Sequence, residues 1–123
     1  MIERSGAAPD GTDLRREAVW QALAAIPPGR VTSYGQLARM AGLGRGARLV
    51  GRWLGQLPDD TRLPWHRVLN SQGQLSLPAD HPAGREQLKR LLAEGVVVRN
   101  HRVSMTCYGW PDQPHPTETA SDE

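Results

Sequence analysis

The stretch Ser33–Gln56, SYGQLARMAGLGRGARLVGRWLGQ, decides the fold. Ser33 followed three residues later by Gln36 is a capping-box pattern, so a short helix is expected from Tyr34 to Met40. Gly42-Leu43-Gly44 reads as a turn. A second helix fits Arg45 to Gln56, with Ala47, Val50 and Leu54 facing inward. Helix, Gly-containing turn, helix is the pattern of a helix-turn-helix. Gly46, Ala47 and Gly51 make one side of the second helix narrow, and Arg48 stands beside them. Small residues argue against major-groove reading, which needs polar side chains that reach base edges. The plainer reading is that they let two helices pack closely.

Working outward, Leu14, Ala18, Val19, Ala22, Leu23 and Ile26 follow helical spacing from Asp13 to Ile26, and Pro27-Pro28-Gly29 stops that helix. Leu57 to Pro64 is a loop. Arg67–Leu69 and Gln74–Leu77 read as two short strands around Asn70-Ser71-Gln72-Gly73. A further helix fits Pro82 to Glu94, stopped by Gly95. Val96–Val98 and Arg102–Met105 suit a final hairpin around Arg99-Asn100-His101. Residues 1–12 read as a flexible leader and 111–123 as a disordered acidic tail, which leaves one domain over 13–110.

The chain has 123 residues and a formal charge of +2, and that small charge hides an asymmetry. Residues 13–110 hold 14 of the 15 basic residues and 7 of the 13 acidic ones, a net +7. Nearly all the basic residues are Arg, whose planar fork suits phosphate. A basic body suits a polyanion such as nucleic acid, though it also describes a well-solvated surface. No apolar run approaches bilayer length and no signal-peptide pattern opens the chain, so the expectation is a cytoplasmic protein, nucleoid-associated if bacterial, with no membrane partner. The single Cys107 excludes an internal disulfide, and four scattered histidines give no zinc spacing. Neither metal nor cofactor is expected.

Several motifs then agree in order and spacing: Pro28-Gly29-Arg30-Val31-Thr32-Ser33-Tyr34-Gly35-Gln36-Leu37-Ala38, Gly46-Ala47-Arg48-Leu49-Val50-Gly51, Pro64-Trp65-His66-Arg67-Val68, Asn70-Ser71-Gln72-Gly73 and Leu91-Leu92-Ala93-Glu94-Gly95. Together they resemble the DNA-binding, active-site domain of the O6-alkylguanine-DNA alkyltransferases over about residues 14–98. Trp65 stands where that family's signature, Pro-Cys-His-Arg-Val, has its nucleophilic cysteine. A thiolate can attack an alkyl carbon, whereas an indole offers only an N–H donor. The chain is therefore similar to the non-catalytic, alkyltransferase-like branch.

The resemblance implies a mainly α fold with small β hairpins, a winged-helix-like helix-turn-helix of the alkyltransferase C-terminal type. It implies a monomer that binds O6-alkylguanine in duplex DNA through the minor groove, flips the base and passes the site to nucleotide-excision repair proteins. By resemblance Arg48 is the finger that fills the emptied stack. Tyr34 crowds the adjoining phosphate and bonds the flipped base. Trp65 walls the pocket, and the Trp65 C=O and Val68 N–H read the guanine edge. Thr32, Ser33 and Gln36 can contact phosphate, joining Gly46, Ala47, Arg48 and Gly51 in the DNA-binding set. His66 and Glu94 match the pair that serves the missing nucleophile, and here read as a hydrogen-bonded relic. The loop Leu77–Arg85 should border the pocket. Two other readings stay open: a catalyst using Cys107 or the His66/Glu94 pair, and a sequence-specific regulator.

Overall fold

A computed structural model of the chain describes residues 11–75, 77, 78 and 80–111. The expected leader and tail lie outside the described residues, except that Gly11 and Thr12 already belong to the first helix and Pro111 is described. In chain order the elements are α1 (Gly11–Ala24), β1 (Thr32–Ser33), α2 (Tyr34–Met40), α3 (Ala47–Gly55), a 3-10 turn (Trp65–Arg67), β2 (Val68–Leu69), α4 (Pro82–Ala93), β3 (Val98–Arg99), β4 (Arg102–Val103) and α5 (Met105–Tyr108).

Helix α2 has the expected bounds. Ser33 Oγ accepts from the Gln36 N–H at 3.0 Å, which supplies one orphan donor of the helix start with a partner. The Gln36 side chain does not complete the reciprocal bond; its Oε1 accepts from Arg39 Nη2 at 2.7 Å. Helix α1 ends two residues before Ile26, and Leu14, at the start of the apolar spacing, is 59% exposed. Helix α3 buries Val50 and Trp53, while Ala47 and Leu54 are half-buried. The expected set had missed Trp53. It packs in one core with Val19, Leu23, Ile26, Leu37, Ala38, Val50 and Val68, and the Arg16 guanidinium lies 5.3 Å over its ring.

One expected hairpin is overturned. Arg67 belongs to the 3-10 turn, and Val68–Leu69 pairs in parallel with β1, Thr32 opposite Val68 and Ser33 opposite Leu69. Asn70 still makes a tight turn, its Oδ1 accepting from the N–H groups of Gln72 and Gln74, each at 2.9 Å. Past that turn the chain leaves β2: Gln74 bridges to Arg102, and the Leu75 N–H bonds to His101 O. The final hairpin exists but is shorter than expected, Val98 opposite Val103 and Arg99 opposite Arg102. Its corner residues Asn100 and His101 have φ of 53° and 64°, the left-handed conformation that a tight two-residue hairpin turn demands at both positions. Cys107 lies in the short helix α5 that follows the hairpin. A second core, of Val31, Leu69, Leu75, Leu91, Val96 and Val103, joins β1, β2, α4 and the hairpin. The two-residue β1–β2 ladder thus ties the helix-turn-helix half to the half that carries Trp65.

Candidate nucleic-acid interface

Helices α2 and α3 carry most of the residues expected to meet DNA. On α3, Ala47 and Gly51 are one turn apart and fall on one stripe; Arg48 and Arg52, also one turn apart, form the neighbouring exposed stripe. The two glycines differ in what they serve. A Cβ on Gly46 would meet Leu43 Cβ at 3.0 Å, so close packing alone accounts for that glycine. A Cβ on Gly51 would stand 3.8 Å from the Tyr34 ring, an ordinary contact, so packing does not require glycine there.

Thr32, Ser33 and Gln36 come together around a surface cleft of about 200 Å³, with Arg39, Ser71, Met105, Gly109 and Trp110 completing its walls. Thr32 is 1% exposed, and its Oγ1 has no hydrogen-bond partner among the described residues. Sequence reasoning missed Arg39, Ser71 and Trp110. Trp110 reaches the cleft because the Val31 N–H bonds to Tyr108 O and the Trp110 N–H to Val31 O, a long-range pairing that no local pattern marks.

Trp65 opens the 3-10 turn, half-buried, its ring perpendicular to that of His66 with centroids 6.2 Å apart. The Val68 N–H donates to the Trp65 carbonyl and closes the turn. The two backbone groups expected to read guanine are therefore bonded to each other. The carbonyl keeps a second lone pair for a further donor, whereas the N–H is already engaged.

Beneath the turn lies Glu94, the C-cap of α4. Its carboxylate accepts from His66 Nε2 at 2.8 Å, from Arg67 Nη2 at 2.6 Å, from Arg67 Nε at 3.0 and 3.1 Å, and from the Gly29 N–H at 2.9 Å. Arg67 also donates through Nη1 to Ile26 O at 2.7 Å. The expected His66–Glu94 pair exists, but Arg67 is the stronger partner. Gly29 sits at φ 81°, a left-handed turn favouring glycine, and this conformation brings its N–H to the carboxylate. Buried Gln87 was also missed: its amide donates to His66 O and Val68 O at 3.3 and 3.1 Å.

Comparison with known proteins gives these positions a family context. The family model for the 6-O-methylguanine DNA methyltransferase DNA-binding domain matches residues 15–96. The chain belongs to this family. It is 47% identical over 93 residues to the DNA base-flipping protein of Escherichia coli K12, 75% of this chain and 70% of that one. Its fold matches Schizosaccharomyces pombe Atl1, solved with damaged DNA containing O6-carboxymethylguanine, at a TM-score of 0.74 and 34% identity over 80% of this chain and 95% of that one. It is also 42% identical over 90 residues to the Salmonella typhimurium methylated-DNA–protein-cysteine methyltransferase, 73% of this chain but only 52% of that relative.

In this chain the electrostatics beneath the turn favour a fixed structural tie. Burial alone would raise the Glu94 pKa, but the bonds from Arg67, Gly29 and His66 outweigh it and hold the carboxyl at about 2. Burial lowers the His66 pKa, and the attraction of Glu94 only partly offsets it. His66 is thus neutral at pH 7. With Nε2–H donating to Glu94, its buried Nδ1 is an acceptor, and it has no partner among the described residues. Cys107 is exposed on α5, with its N–H capped by Ser104 Oγ at 3.2 Å, in a different element from this network. Arg85, expected in a loop bordering the pocket, instead lies in the first turn of α4, and its guanidinium donates to Asp80 O at 2.7 Å, just ahead of the helix. Among the described residues no cluster of three or more His, Cys, Asp or Glu is placed to hold a metal, and no helix is long and apolar enough to cross a membrane.

Proposed function

We propose that this protein is a non-enzymatic receptor for O6-alkylguanine in duplex DNA. One observation carries the reading: the frame around the family's nucleophile position is intact, with His66, Arg67 and Glu94 joined, while Trp65 occupies that position. An indole cannot accept an alkyl group at neutral pH, but it gives a flat wall for dispersion contacts and one N–H for the lesion oxygen. The names of the relatives, a base-flipping protein and an Atl1 solved on damaged DNA, support a ligand of this kind.

In this reading α3 enters the minor groove on its Ala47–Gly51 stripe, Arg48 fills the gap left by the extruded base, and Tyr34 guides the base outward. The cleft at Ser33 and Gln36, extended by Arg39 and Ser71, offers hydroxyl, amide and guanidinium donors to the strand's phosphates, while Thr32 is too buried to reach them and forms its floor. Trp65 walls the lesion pocket. The protein leaves the lesion in place, and nucleotide-excision repair proteins take over the marked site.

Two duplexes that differ only in guanine or O6-methylguanine at one position test this. The expected result is tighter binding of the methylated duplex by about tenfold or more at physiological salt, since the phosphate-driven part of the affinity is common to both. Equal affinities would defeat lesion recognition.

A further inference from the structure

Helix α4 serves the Trp65–Val68 turn through one face. Gln87, Arg90 and Glu94 follow one another at helical spacing, and each reaches the turn. Gln87 holds the backbone carbonyls of His66 and Val68. Glu94, at the helix end, holds the side chains of His66 and Arg67. The Trp65 side chain falls to Arg90, whose guanidinium carbon lies 5.5 Å from the centroid of the indole. Arg90 is itself restrained, because its Nε donates to Glu86 Oε2 at 2.7 Å, one turn back along the helix. The indole therefore meets a cation over its face and a perpendicular imidazole beside it before any DNA arrives.

From this geometry we infer that Arg90 is the positioning residue of the Trp65 wall and sets how well the protein separates alkylated from plain guanine. The inference rests on the lesion-receptor reading above. A half-buried tryptophan without such a restraint samples other rotamers, and apparent affinity falls with the fraction of molecules in the competent one. The loss should fall on the lesion contact, because phosphate contacts do not involve Trp65. The contribution of a partly exposed cation–π pair corresponds to about a threefold to tenfold effect.

The test measures the affinity ratio between O6-methylguanine and guanine duplexes for the full chain and for Arg90→Leu, Arg90→Lys and Glu86→Gln. Arg90→Leu should lower the ratio about fivefold. Arg90→Lys, which keeps a cation able to sit over the ring, should recover most of it, and Glu86→Gln should fall between. The lost charge weakens both duplexes alike, so it cancels in the ratio. A role confined to stability would lower Tm and leave the ratio alone. Should Arg90→Leu fail to fold, Arg90→Gln carries the same expectation. A wild-type ratio above one that the Arg90 variants leave intact would overturn the role of Arg90 alone. A wild-type ratio of one would overturn the lesion reading, and this inference with it.

Discussion

Glu94→Ala is expected to lower the unfolding free energy by about 3 kcal/mol, which in a domain of this size is a fall in Tm of roughly 15 °C. The carboxylate is the common partner of the Gly29 N–H, His66 and Arg67. Its removal leaves Arg67, with only 14% of its side chain exposed, bonded to Ile26 O alone. An uncompensated, largely buried guanidinium is the main cost, and the orphaned Gly29 N–H adds to it. Glu94→Gln keeps an acceptor and loses the charge, so it should fall between wild type and Ala.

The same network fixes the acid limb of stability. The folded Glu94 pKa of about 2 lies below its ordinary 4.5, so the unfolded chain binds the proton more readily. Its contribution, on the order of 3 kcal/mol, is complete above about pH 4.5 and is lost as pH falls toward 2. His66 acts with the same sign, since its folded pKa lies below 6.5 and stability drains as pH drops through that value. Unfolding followed by circular dichroism between pH 7 and pH 2.5 should show falling stability throughout. In Glu94→Gln the slope below pH 4.5 should flatten, and an unchanged slope would show that Glu94 does not govern it.

Arg48→Ala is expected to weaken binding to an O6-methylguanine duplex by about thirtyfold, which corresponds to about 2 kcal/mol. Holding a base outside the stack costs a few kcal/mol, and a planar guanidinium that fills the gap recovers part of that cost. Arg48 is exposed on α3 and makes no ion pair among the described residues, so its removal should leave Tm nearly unchanged. Plain-duplex binding should fall only severalfold, from the loss of one cation. Arg48→Lys keeps the charge without the planar fork and should rescue the plain duplex better than the lesion duplex. Fluorescence anisotropy on both duplexes checks this; parallel losses of equal size would reduce Arg48 to a phosphate contact.

How much of this was legible in the sequence depended on the range of the interaction. Helix α2 was placed correctly because Ser33 and Gln36 mark its start locally. The last turn was placed because the short runs Val96–Val98 and Arg102–Met105 bracket it closely in sequence. The Asn70–Gly73 turn was also visible, yet it was assigned to a hairpin that does not form. A parallel partner for Val68–Leu69 comes from Thr32–Ser33, far back along the chain, and two-residue strands carry too little pattern to announce such a pairing. The site divides in the same way. His66 and Glu94 were found through the motif, while Arg67 as the main partner, Gln87 beneath the turn and Trp110 at the cleft depend on tertiary contacts that spacing does not encode. Gly51 is the informative converse: only with coordinates does it become clear that packing does not need it small.

The central claim is that the protein holds an alkylated base and leaves it unchanged. The most direct measurement mixes the full chain with one equivalent of duplex containing O6-methylguanine, confirms the complex, then determines the intact mass of the protein and the lesion content of the recovered DNA. The account predicts an unmodified protein and complete recovery of the lesion after prolonged incubation. A protein heavier by one methyl group, on Cys107 or elsewhere, or DNA whose O6-methylguanine has become guanine, would contradict it.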